Sequence, residues 1–258
     1  MSDIKKIQFY SSSLSKEMNV DVYLPPNYNP KNKYPVLYLL HGKDSNQNSW
    51  MTTLLGFNSI HIDHDATRLI NEGKVRPLII VSPEIDNGYG INTSSKTFTV
   101  GDYDRGQYGN FITRDLIQYI DTHYSVVQSR DGRYIGGYSM GGFAALHAAF
   151  TNQNLYSKVG VMSAALWSGG LPTSLSWIYS TPEQQNSRDP ITIAKETSIK
   201  IPVYMIEGES DPFYSPDITL AHELNTNATK VTLKTYPGGH NYTFWRRHAS
   251  ELLLFFGQ

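Results

Sequence analysis

The feature that most constrains this chain is a series of short, nearly continuous apolar runs separated by amphipathic stretches. Val36-Leu37-Tyr38-Leu39-Leu40, Leu78-Ile79-Ile80-Val81, Tyr134-Ile135, Val159-Gly160-Val161-Met162, Val203-Tyr204-Met205-Ile206 and Val231-Thr232-Leu233 do not alternate apolar with polar residues. Such runs fit strands covered on both faces, as in a parallel sheet with helices above and below. Between them, residues 65–72, 111–124, 215–224 and 243–256 read as amphipathic helices; Leu116, Ile117 and Ile120 show the spacing. Segments 4–10 and 19–24 do alternate, which predicts an antiparallel hairpin ahead of the parallel part. Together these elements predict an α/β chain: a mostly parallel, eight-stranded sheet with an antiparallel N-terminal hairpin and helices on both faces.

No repeat, low-complexity tract or linker interrupts the 258 residues, so a single domain over 1–258 is expected. The segment 164–200 is rich in Ser, Pro and Gly with one clear helix candidate, and it predicts a small cap. A net charge of −1 argues against nucleic acid or an anionic membrane surface as a partner, since both require a basic face. With no cysteine, disulfides, thiol chemistry and a cysteine-type zinc site are excluded. The N-terminus has no apolar stretch of signal-peptide type, and no run approaches the ~18 apolar residues that span a bilayer. A cytoplasmic protein is expected, and a homo-oligomer is compatible with the composition.

Chemistry enters with Gly137-Tyr138-Ser139-Met140-Gly141. An apolar strand precedes it and the helix-forming run Phe143–Phe150 follows it, which predicts a nucleophile elbow with Ser139 at a sharp strand-to-helix turn. A serine hydroxyl needs a base to take its proton and a carboxylate to orient that base. In an open parallel sheet these partners belong on loops beyond the carboxyl ends of later strands. Of eight histidines, His240 lies in such a loop, Pro237-Gly238-Gly239-His240-Asn241, just before the last helix. Asp211 in Glu207-Gly208-Glu209-Ser210-Asp211 is the expected acid; Glu209 is the runner-up, and Glu207 lies too close to the strand end. Asp189 falls in the cap, and Asp217 reads as a helix N-cap. Oxyanion donors are expected from the backbone amides of Met140, at the start of the helix, and Lys43, beside Gly42 after an early strand. His41 reads as a ring that braces this loop. Trp50, Tyr89, Trp167 and Tyr138 are candidate substrate contacts.

The chain resembles the esterase D branch of the α/β-hydrolases, which includes S-formylglutathione hydrolases, tributyrin-type esterases and carbohydrate esterases that remove feruloyl and acetyl groups from xylan. The resemblance rests on Tyr34–Gly42 with Trp50 after it, Ser139–Leu146, Gly208–Phe213 and Pro237–Trp245. It implies the α/β-hydrolase fold and the same roles for Ser139, Asp211, His240, Met140 and Lys43. Lys43 departs from the small or apolar residue of that branch, and Asp86–Gln107 matches none of its members. The expected function is a serine carboxylesterase acting on short acyl esters, acetyl to butyryl, including acetylated or feruloylated carbohydrate, with no metal or cofactor. An S-formylglutathione-type thioesterase or an acyltransferase would share the triad. A non-catalytic binding role would leave an ordered Ser, Asp and His without a use.

Overall fold

Alternate side chains of a strand point to opposite faces, and in β3 (Val36–Leu40) both sets are buried. Val36, Tyr38 and Leu40 enter one hydrophobic cluster, while Leu37 and Leu39 enter another. β3 is thus an inner strand of a three-layer structure, as its unbroken apolar run predicts.

The computed structural model describes residues 3–51 and 59–257. β1 (Asp3–Ser11) and β2 (Lys16–Leu24) form the antiparallel hairpin, and β2 pairs antiparallel with β4 (Ile79–Pro83). A separate small hairpin joins β5 (Phe98–Val100) to β6 (Tyr103–Arg105). β7 (Arg133–Ser139), β8 (Lys158–Ala164), β9 (Val203–Gly208) and β10 (Val231–Tyr236) continue the main sheet. Among the described residues, the main sheet has eight strands in the order β1-β2-β4-β3-β7-β8-β9-β10, with every pair from β4 onward parallel. This is the α/β-hydrolase architecture expected from the sequence.

Helices fill the two outer layers. α1 (Ile62–Asn71) is followed by a single turn, α2 (Tyr108–Asn110), which runs through a π-type turn at Phe111–Asp115 into α3 (Leu116–His123). α4 (Met140–Thr151) follows Ser139 directly. α5 (Pro182–Arg188) and α6 (Pro190–Glu196) lie in the predicted cap segment, and α7 (Tyr214–Thr226) and α8 (Tyr242–Gly257) complete the set. α1 and α8 cover the sheet face that carries Leu37, Leu39 and Ile80. α3, α4, α6 and α7 cover the face that carries Val36, Tyr38 and Val81. The buried stripe of α8 (Trp245, Ala249, Leu252, Leu253 and Phe256) has the i, i+4, i+7 spacing of a helix with one apolar face. No helix of the described residues is long and apolar enough to cross a membrane.

Two local features differ from the sequence reading. The cap segment carries two short helices where one was expected. Pro190 forces Asp189 into extended backbone (φ −77°, ψ 117°), which ends α5 at Arg188. The Asp189 carboxylate then accepts from the amides of Ile191 and Thr192 and so starts α6. Asp217 is no N-cap. It lies inside the first turn of α7, whose N-cap position is Phe213, and its carboxylate accepts from the Ala164 amide across the sheet edge at 3.0 Å.

Candidate active site

β3, β7, β9 and β10 all end on the same edge of the sheet, so the loops after them meet. The close approach at that edge is enforced by glycine. A Cβ on Gly141, in the first turn of α4, would lie 2.1 Å from the carbonyl oxygen of Leu40 at the end of β3. A Cβ on Gly42 would lie 2.6 Å from the Tyr138 ring and 3.3 Å from the Ser139 Cβ. Both sites involve rigid neighbours, so any side chain there would push the loop after β3 away from the serine.

Ser139 is the last residue of β7 and adopts φ 53°, ψ −123°. A non-glycine residue in this conformation is strained by about 1–3 kcal/mol. Its carbonyl is held by the amide of Ala165 at 2.9 Å, and the register to β8 shifts between Tyr138 and Ser139. The turn lifts the hydroxyl out of the strand. The Ser139 Oγ lies 2.8 Å from the His240 Nε2, and the His240 Nδ1 lies 2.9 Å from the Asp211 Oδ2. Because the carboxylate only accepts, Nδ1 carries the imidazole proton and Nε2 is left to accept from the serine hydroxyl. The Asp211 side chain is fully buried, whereas that of His240 is 24% exposed, so the ring but not the carboxylate reaches the surface.

The loops that carry Asp211 and His240 are tied to each other: the Glu209 amide donates to Tyr236 O and the Ser210 amide to Gly238 O. The other oxygen of Asp211 accepts from the Phe213 amide at 2.9 Å. Burial alone would raise the Asp211 pKa, but hydrogen bonds from His240, the Phe213 amide and the Ser163 hydroxyl outweigh it and hold it below the ordinary carboxylate value. Ser163 is itself fixed by the Trp245 indole N–H at 2.9 Å.

No loop or cap hydrogen bond consumes the amides of Lys43 or Met140 among the described residues. The His41 ring sets the loop. Its Nδ1 donates to Gly42 O at 2.8 Å, and its Nε2 accepts from the Ile85 amide at 2.9 Å. The Lys43 side chain turns aside to Asp44 at 2.6 Å and over the Tyr103 ring.

Of the four aromatic candidates, two are corrected. Trp50 is fully buried, donates from its indole to Leu40 O at 3.0 Å and packs edge-on to Tyr138. Tyr138 neighbours Ser139 in the strand, so its ring points to the opposite face, into the cluster under α8. Its hydroxyl donates to Ser45 Oγ at 3.1 Å and meets Tyr242 OH at 2.9 Å. Both residues brace the loop after β3 from beneath. Tyr89 and Trp167, by contrast, belong to an aromatic belt beside His240, in which Tyr89 is buried and Trp167 partly exposed. The Phe213 ring stands edge-on to His240 (5.2 Å between centroids), Trp167 edge-on to Phe213 (5.6 Å), and Tyr89 lies 6.1 Å from Trp167 and 5.5 Å from Phe143. Tyr103 and Trp177 extend the belt, and the Arg105 guanidinium lies 3.5 Å over the Trp177 ring. The sequence reading missed the β5–β6 part of this belt. The signal was present as Phe98-Thr99-Val100-Gly101-Asp102-Tyr103, a short alternating strand followed by a two-residue turn that opens on glycine.

A groove of about 510 Å³ lined by Lys158, Tyr204, Lys230 and Phe255 lies at the opposite end of the strands, remote from Ser139. Among the described residues, no group of three or more His, Asp or Glu side chains is placed to hold a metal.

Residues 11–256 match the model of the Esterase family, whose description reads "Putative esterase". The chain belongs to the Esterase family. This esterase is a carboxylic ester hydrolase, in keeping with its relatives. It is 23% identical to an acetyl esterase of Caldicellulosiruptor saccharolyticus, an alignment covering 96% of each protein. It is 27% identical to an endo-1,4-beta-xylanase/feruloyl esterase of Xylanibacter ruminicola over 64% of this chain, and it spans only 22% of that relative's length. Among solved structures, a ferulic acid esterase superposes with a TM-score of 0.83 at 23% identity, covering 99% of this chain and 98% of the other. At that identity the likeness establishes the α/β-hydrolase fold.

Proposed function

We propose that the esterase works through Ser139 as nucleophile, His240 as general base and acid, and Asp211 as the group that orients His240. The observation that carries this reading is the continuous hydrogen-bonded line from Ser139 Oγ through the His240 ring to the buried Asp211. Ser139 attacks the ester carbonyl while its proton passes to Nε2. The imidazolium then protonates the leaving alkoxide, and water activated by the same nitrogen releases the acid from the acyl-enzyme. The amides of Met140 and Lys43 receive the developing oxyanion, the first of them at the positive end of α4.

The substrate in this reading is an acylated carbohydrate. The partly exposed rings of Phe213 and Trp167 beside His240, backed by the buried Tyr89, give a flat aromatic acyl group more stacking surface than an acetyl group can use. The acetyl and feruloyl activities named for the relatives mark the two ends of this range. Trp167→Ala is expected to raise KM for methyl ferulate about tenfold, the order of one lost aromatic contact, while leaving kcat/KM for p-nitrophenyl acetate within about twofold. Steady-state rates on both esters, run beside acetylxylan, check this. Faster turnover of the acetyl esters, with methyl ferulate indifferent to Trp167→Ala, would remove the aromatic acyl assignment.

A further inference from the structure

Behind Asp211 lie two further carboxyl groups that the mechanism does not use. Glu207, in β9, is completely buried, and Asp217, in α7, is 1% exposed. One oxygen of each is occupied by a backbone amide: Glu207 Oε1 accepts from Gly208 N at 3.2 Å, and Asp217 Oδ2 from Ala164 N at 3.0 Å. The remaining two, Glu207 Oε2 and Asp217 Oδ1, are buried and accept no hydrogen bond from a donor group among the described residues. The two carboxyl groups are within hydrogen-bonding reach of each other. Two acceptor-only carboxylates cannot sit in contact away from water; one of them must keep a proton and donate it.

We propose that Glu207 is a positioning residue that stays neutral and donates its proton to Asp217, so that the pair places no more than one negative charge behind Asp211. The inference rests on the assignment of Asp211 and His240 given above. Burial, the contact with Asp217 and the charge of Asp211 all push the Glu207 pKa upward, so the proton is retained on this residue at neutral pH. Burial likewise raises the Asp217 pKa, to about 7, with the Glu207 contact and the Ala164 amide acting against it. The titratable groups facing the pair are Asp211, on the loop after β9, and His240, which reaches it through Asp211. β8 contributes the Ala164 amide and, on Asp211 itself, the Ser163 hydroxyl. No lysine or arginine among the described residues acts on the pair. The retained proton has two effects. It ties β9, α7 and the end of β8 together directly beneath the acid loop, and it spares Asp211 a second neighbouring charge that would push its own proton back on.

The experiment pairs two substitutions with a direct view of the proton. In Glu207→Gln the amide nitrogen donates where the carboxyl did and the charge on Asp217 is kept, so the acid limb of the kcat/KM–pH profile stays in place. In Asp217→Asn the charge that the pair gains as Asp217 ionises is lost, and the limb moves down by about one pH unit. Carbon-13 spectra of the wild-type protein labelled at glutamate carboxyls should show one neutral carboxylic acid at pH 7 that vanishes in Glu207→Gln. The proposal fails if Glu207→Gln lowers the limb as far as Asp217→Asn, if Asp217→Asn leaves it unmoved, or if every glutamate is ionised at pH 7. The spectrum needs neither turnover nor a folded Asp217→Asn protein. It therefore stands apart from the triad assignment, which fails separately if Ser139→Ala retains turnover.

Discussion

Ser139→Ala is expected to lower kcat for a p-nitrophenyl ester by about four to six orders of magnitude while the protein remains folded. The size follows from the arrangement. His240 has no proton to take and no acyl-enzyme can form, so only the oxyanion amides and substrate binding remain. Folding is spared because the Ser139 hydroxyl meets His240 and no other structural partner among the described residues. Two measurements separate this outcome from its rivals. Circular dichroism of the variant should overlay that of the wild type, and a fluorophosphonate probe should label the wild-type protein at Ser139 alone. Labelling elsewhere, or retained hydrolysis in the variant, would move the nucleophile.

Asp211→Asn is the second large effect, with an expected loss of about 10⁴-fold in kcat. Asn fits the space of Asp211, but its amide nitrogen can donate to His240 Nδ1. That contact favours the tautomer with its proton on Nε2, which cannot accept from Ser139. KM should change little, because the buried carboxylate does not reach the surface. The substitution also has a signature in stability. The Asp211 pKa is depressed in the folded protein, so its ionisation stabilises the fold above the ordinary carboxylate value near 4 and ceases to do so as the pH falls through the lower folded value. Acid denaturation of Asp211→Asn should accordingly show a shallower loss below about pH 4 than the wild type. An unchanged kcat would remove Asp211 from its role, with Glu209 next to be tested.

Much of this site is legible in the chain because its parts sit at sheet-defined places. Once the apolar runs are read as parallel strands, Ser139, Asp211 and His240 fall on loops at one edge, and the elbow glycine Gly141 marks where a helix must press on the end of β3. What the sequence conceals is side-chain direction at the strand ends. Tyr138 is adjacent to Ser139 in sequence yet faces the other layer, and Trp50 follows the loop after β3 yet turns inward to cap Leu40 O. The Glu207–Asp217 contact is hidden for a related reason. Ten residues apart, the two meet only because α7 folds back across β9, and the local pattern at Asp217 is the same as that of an ordinary helix cap.

The backbone of Ser139 bears on how this activity can persist. Its φ of 53° belongs to the region where glycine is at ease, so glycine at this one position would relax the turn and make the protein more stable. Selection for stability alone would therefore favour erasing the hydroxyl, and a lineage freed from its substrate would be expected to lose the serine early while keeping the fold.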